Sequence, residues 1–169
     1  MTILKSTIER FSIVSNNTFD DVVSGFVVKI GHPAMTEFRK SIAAAQTEDD
    51  LKAVVEAATR PSGLMEFARF DLGEVLRKVN PVAPKSQRFI VGNPLMMSQM
   101  VKVVPDAGSY APVTILIDER HDGVHLSYDR MASLLSPDGN PEALKVARDL
   151  DSKVEALLSS CAGDQSQLR

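Results

Sequence analysis

At Arg60-Pro61-Ser62-Gly63 the apolar repeat of this chain changes from the period of a helix to the period of a strand. Upstream, Phe19, Val22, Val23, Phe26, Val27 and Ile30 fall at i, i+3, i+4, i+7, i+8 and i+11. That is a helical stripe, in spite of its β-branched content. Thr18 is placed to cap it, with Asp20 and Asp21 in the first turn, where negative charge suits the helix dipole. Gly25 costs such a helix about 1 kcal/mol relative to Ala. Gly31-His32-Pro33 interrupts, and the spacing predicts a second helix over 34–45, with Phe38, Ile42 and Ala45 in one row. A third starts at Thr47, with Leu51, Val54, Val55 and Ala58 on one face.

Downstream the period is two. Alternation predicts strands over 64–71, 87–91, 113–118 and 124–128, and an earlier one over 8–15. Segment 119–123 ends in Asp122-Gly123, a hairpin signal. Short helices are predicted over 73–79 and after Gly92-Asn93-Pro94, where Asn caps and Pro opens the first turn. Asn140-Pro141 repeats that start before a long helix carrying Leu144, Ala147, Leu150, Val154, Leu157 and Cys161 on one face. Strands that come as a run after a helical block argue for an α+β fold with an antiparallel sheet of about five strands. The long helices then cover one sheet face and leave the other open or partner-covered.

With 44% apolar and 24% charged residues, the 169-residue chain can build one core. It is expected to form a single domain over 1–160, with 161–169 a frayed tail. A net charge of -3 and scattered basic residues give no stripe for nucleic acid, and 5% aromatics leave few stacking platforms. No stretch approaches the ~20 apolar residues of a membrane span, and the first ten residues lack a signal peptide's apolar core. The expectation is a cytoplasmic protein with neither nucleic-acid nor membrane partners. A lone cysteine, Cys161, excludes an internal disulfide and reads as structural.

Phe67-Ala68-Arg69-Phe70-Asp71, the run from Phe89 to Met96, Ala111-Pro112-Val113, Asp122-Gly123-Val124 and Ser127-Tyr128-Asp129 occur in an order and spacing that carry a family resemblance. In these residues the chain resembles the family known as domain of unknown function 302. The resemblance spans residues 8–30 and 64–160, with the helices between as an insertion found in a longer subgroup. It implies a β-α-β4-α topology like that of the TATA-binding protein, and a homodimer, but no activity. One departure is Leu72, which stands after Asp71 where the family usually has His.

Alternation places Arg69 and Asp71 of the second strand on one face with Arg88, Thr114, Asp118, His125 and Ser127 of the next three. Polar groups converging on a concave surface are the default ligand-site hypothesis. The first expectation is a small-molecule-binding domain for an anionic or amphipathic ligand, held by Arg69, Arg88, Asn93 and Ser127. Asn93 enters because a helix N-terminus can receive an anion, although simple capping explains it as well. The alternative is a cofactor-independent acid/base enzyme of isomerase, lyase or cyclase type, with Asp71 as base and His125 or Arg88 polarising the substrate. No cofactor is expected, and no metal: His121 and His125 lie on a hairpin, where four residues span about 13 Å, too far for one ion. Tyr128 alternates with Val124 and Leu126 and is expected in the core, and Met96, Met97 and Met100 read as core filling.

Overall fold

The computed structural model of the chain describes residue 3 and residues 5–163. Five strands form one antiparallel sheet in the order β1-β5-β4-β3-β2. They are β1 (Arg10–Ser15), β2 (Met65–Asp71), β3 (Ser86–Gly92), β4 (Val113–Arg120) and β5 (Gly123–Asp129). Helices α1 (Phe19–Val27), α2 (Met35–Ala44) and α3 (Glu48–Ala58) lie between β1 and β2. α4 (Leu72–Val79) and α5 (Pro94–Val103) flank β3, while α6 (Met131–Leu135) and α7 (Pro141–Ala162) follow β5. This is the α+β fold expected from the change of period, with an antiparallel sheet of five strands.

The caps form as the sequence predicts. Thr18 Oγ1 accepts from Asp21 N–H at 3.2 Å, and Thr47 and Asp50 make a reciprocal capping box. Asn140 Oδ1 accepts from the N–H groups of Glu142 and Ala143. The apolar stripe of α1 buries Val22 and Phe26, the latter edge-on to Phe89 of β3 with ring centroids 4.9 Å apart. The buried stripe of α7 and Met100 of α5 meet the same sheet face, which presents Ile115, Ile117, Leu126 and Tyr128. Met96 and Met97 pack at the margin of that core.

α2 and α3 build a smaller cluster of their own, from Phe38, Val55 and Met65. The chain enters this unit at Gly31, which donates to Leu64 O and accepts from Glu66 N–H, both at 2.9 Å, as a parallel bridge beside Met65. A Cβ at Gly31 would stand 1.8 Å from Ala58 O, so no other residue fits.

Four features differ from the sequence expectation. The hairpin turn is only His121-Asp122, because β4 runs on to Arg120 and Gly123 opens β5. α6 is an additional helix, held by the side chain of Asp151 rather than by a local cap. Helix α7 continues to Ala162, and Cys161 and Ala162 are buried, so the ordered domain passes residue 160. Residues 164–169 of the expected tail lie outside the described residues. Finally, β2 is not regular: Glu66 pairs with Val91 and Ala68 with Ile90, so Phe67 is an extra, bulged residue.

Candidate functional site

The strand register sorts every side chain of the sheet onto one of two faces. Arg88 of β3 pairs with Leu116, Leu116 with Ser127, and Ser127 with Ser12, so these four share the face away from α1 and α7. Ile90 and Thr114, Asp118 and His125, and Arg10 and Asp129 are further pairs on that open face. From β2 it receives Phe70, which pairs with Arg88.

Arg69 and Asp71 do not join them. They pair with Phe89 and Gln87 and face the helices, so the expected convergence of these two with Arg88 and His125 is corrected. The offset is one residue of register, which moves a whole strand's side chains between faces. The Arg69 guanidinium lies 4.8 Å from the centroid of the Phe89 ring and 2.7 Å from Glu66 Oε2. Asp71 caps α4: its Oδ1 accepts from Glu74 N–H at 2.6 Å, and Arg77 stands 3.7 Å away. Asn93 is likewise consumed by structure. Its Oδ1 accepts from Leu95 and Met96 N–H, and its Nδ2 donates to Gly63 O at 2.9 Å.

Arg88 and Ser127 remain where the sequence reading puts them, lining one hollow of about 240 Å³. Its walls are Leu72 at the start of α4, Leu116 and Thr114 of β4, and Arg10 and Asp129 at the far edge. A second hollow of about 380 Å³ shares Arg88, Thr114 and Asp129 and runs toward Ile90, the 108–112 segment and Leu134. Arg88 thus stands where two parts of one groove meet, with the Phe70 ring 6.0 Å from its guanidinium carbon and Thr114 Oγ1 3.5 Å from Nη2.

Most charges on this face are neutralised in place. Arg10 grips Asp129 through two bonds of 2.6 and 2.9 Å, and Arg120 holds Asp118 at 2.6 Å. His125, buried at the hairpin end, bonds Asp122 through Nε2 at 2.9 Å. That bond holds the Asp122 carboxyl below the usual carboxylate range. Arg88 alone on this face has no carboxylate within 4 Å among the described residues.

Two features escaped the sequence reading. A hollow of about 680 Å³ lies between α2, α3 and the Gly31–Ala34 link, and includes His32 and Arg60. Gly31-His32-Pro33 signals only a break in sequence, and nothing there shows that α2 and α3 leave space. Asp151 is fully buried at the opposite end of the core, where it accepts from Tyr128 Oη at 2.6 Å and from Met131 and Ala132 N–H at 2.7 and 3.1 Å. Burial, with the neighbouring Asp151 carboxylate, pushes the Tyr128 phenol far above its ordinary range. Its signal was legible: an acid at position 151 interrupts the apolar row shared by Ala147, Leu150, Val154 and Leu158. Among the described residues no group of three His, Cys, Asp or Glu is placed to hold a metal ion, and no helix is long and apolar enough to cross a membrane.

A family model, "Domain of unknown function DUF302", matches residues 28–161, well over half of the chain. The chain belongs to the DUF302 family. The match takes in α2 and α3, which the resemblance set aside as an insertion, and starts after β1 and α1, so its expected extent of 8–30 and 64–160 is corrected. A solved DUF302 structure, the crystal structure of an uncharacterized conserved protein from Bacillus stearothermophilus, superposes with a TM-score of 0.63. It covers 90% of this chain and 97% of that one at 11% identity, a likeness of fold alone. No curated protein matches this DUF302 chain.

Proposed function

We propose that this DUF302 protein is a small-molecule-binding domain whose open sheet face takes an amphipathic anion, with Arg88 as its anchor. One observation carries the reading: Arg88 is the charge on the groove without an acidic partner among the described residues, and it stands between hydroxyl and apolar neighbours. A guanidinium presents a planar fork that suits a carboxylate or phosphate bidentately. Thr114 and Ser127 offer hydroxyls beside it, while Leu72, Leu116, Ile90 and Phe70 offer apolar surface to the rest of the ligand. We propose further that the domain works in the cytoplasm, and that it does so as a homodimer, the state its family resemblance implies.

The acid/base alternative loses its arrangement, because Asp71 and His125 lie on opposite faces of the sheet and Asp71 is engaged as a cap. The test is a binding series with alkyl carboxylates, alkyl phosphates and the matching alcohols, followed by calorimetry. The acids should bind and the alcohols should not. Arg88→Ala should weaken binding roughly 10- to 100-fold, the worth of a charge-assisted hydrogen bond. Arg60→Ala, in the separate hollow, should leave it unchanged. Equal affinity in wild type and Arg88→Ala would remove the sheet face as the site.

A further inference from the structure

A hollow of about 370 Å³ lies between α7, the residue pair that follows α1 and the link from α3 to β2. Its wall on α7 is Lys153, Ala156, Leu157 and Ser160, spaced i, i+3, i+4 and i+7 along one side of the helix. Lys29 and Pro61-Ser62 form the wall opposite, joined to each other by Ser62 N–H, which donates to Lys29 O at 3.2 Å. No acid lines the hollow among the described residues, although the chain carries a net charge of -3.

The free side-chain groups on these walls are donors. Lys29 Nζ donates to Ser160 O at 2.8 Å and to Ser160 Oγ at 2.9 Å, which leaves one of its three protons uncommitted. Ser62 Oγ accepts from Leu64 N–H at 3.3 Å and keeps its own proton to give. Lys153 makes no hydrogen bond or ion pair among the described residues. Asp149 stands one turn before it, the spacing of a helical ion pair, yet the two do not meet. The Lys153 ammonium lies instead over the α3–β2 link, 3.6 Å from where a Cβ on Gly63 would stand. Lys29 already has a structural task, since it satisfies a carbonyl in the last turn of α7. Lys153 has none.

We propose that this hollow binds a phosphate monoester, with the phosphate between Lys29, Lys153 and Ser62. A phosphate dianion is acceptor-only, with three terminal oxygens, and lysine binds it as a point charge. Two ammonium groups balance its two charges, and Pro61, Ala156 and Leu157 offer apolar surface to the esterified group. The volume falls within the range of small-ligand sites. None of these residues lines the groove around Arg88, so the inference does not rest on the ligand reading of the sheet face.

Phenyl phosphate is the test ligand, used at pH 8, where it is doubly charged. Because the Arg88 groove would also take such an anion, wild type and Arg88→Ala are titrated together, and the backbone amides of Ser62, Gly63 and Ser160 are followed by NMR. Their resonances should shift saturably in both proteins. Lys153→Ala should raise the dissociation constant read at these amides roughly 10-fold or more, the worth of a charge-assisted bond. Its exposed side chain leaves the fold intact, and Lys145→Ala, outside the hollow on the same helix, should bind as wild type does. Benzoate, with one charge, should bind there more weakly. The proposal is overturned if the shifts fail to saturate, if sodium chloride at equal ionic strength reproduces them, or if they vanish in Arg88→Ala. It is also overturned if Lys153→Ala binds unchanged or benzoate binds as tightly as phenyl phosphate.

Discussion

Asp151 brings a carboxylate to the end of the core, where the N-terminus of α6, the phenol of Tyr128 and the body of α7 converge. A buried carboxylate survives only when its lone pairs are occupied, and here a hydroxyl and two backbone N–H groups occupy them. The same arrangement makes the phenolate of Tyr128 unfavourable, since it would face Asp151 without water. A group whose pKa rises on folding stabilises the fold fully below its unfolded value, about 10 for tyrosine, and less as pH climbs beyond it. Alkaline titration of a Tyr110→Phe variant, which leaves Tyr128 as the one tyrosine, should therefore show no phenolate absorbance until the fold itself is lost. Phenolate appearing near pH 10 in a protein with native circular dichroism would contradict the network. Tyr128 was legible as core from its alternation with Val124 and Leu126, but its partner was not, because Asp151 lies 23 positions away on another element.

Among the elements, those with capping chemistry in the sequence could be read almost to the residue. Thr18, Thr47, Asn93 and Asn140 each stand where a helix starts. β2 could be recognised as a strand but not placed against β3. Alternation fixes which residues share a face within one strand. It is silent on how two strands slide past each other, and that slide decided whether Arg69 or Phe70 joined Arg88. The bulge at Phe67 follows directly on the Gly31 bridge, so the α2–α3 unit and the β2 edge are fixed together. Gly31→Ala must push Ala58 and the end of α3 away from this edge. We expect a loss of about 1–3 kcal/mol, typical of overpacking, measurable by urea unfolding. The loss should come with faster proteolysis in 34–60, whereas a variant as stable and as resistant as wild type would show that the close approach is unimportant.

At the scale of the molecule, the change of period near residue 63 was enough to reveal an α+β fold with its helices on one sheet face. It left open what lies on the other, because that depends on side chains brought together by register. β1 is the element on which the sheet most depends at long range. It covers the β5 edge through a ladder of six residue pairs and the Arg10–Asp129 ion pair. Removing residues 1–15 should leave β5 as a bare edge, and such edges recruit strands from other molecules. The truncated protein is expected to aggregate on concentration, seen by light scattering, and a truncated protein that stays in solution would count against this role.

The ladder between β1 and β5 also sets a timetable for the nascent chain. Strands β2 to β5 are each neighbours of the next, so each can settle as it leaves the ribosome. β1 leaves first, yet the partner of Arg10 lies 119 residues behind it. Until β5 is made, β1 is a strand without a partner, and the sheet is complete only when these two segments, far apart in sequence, meet.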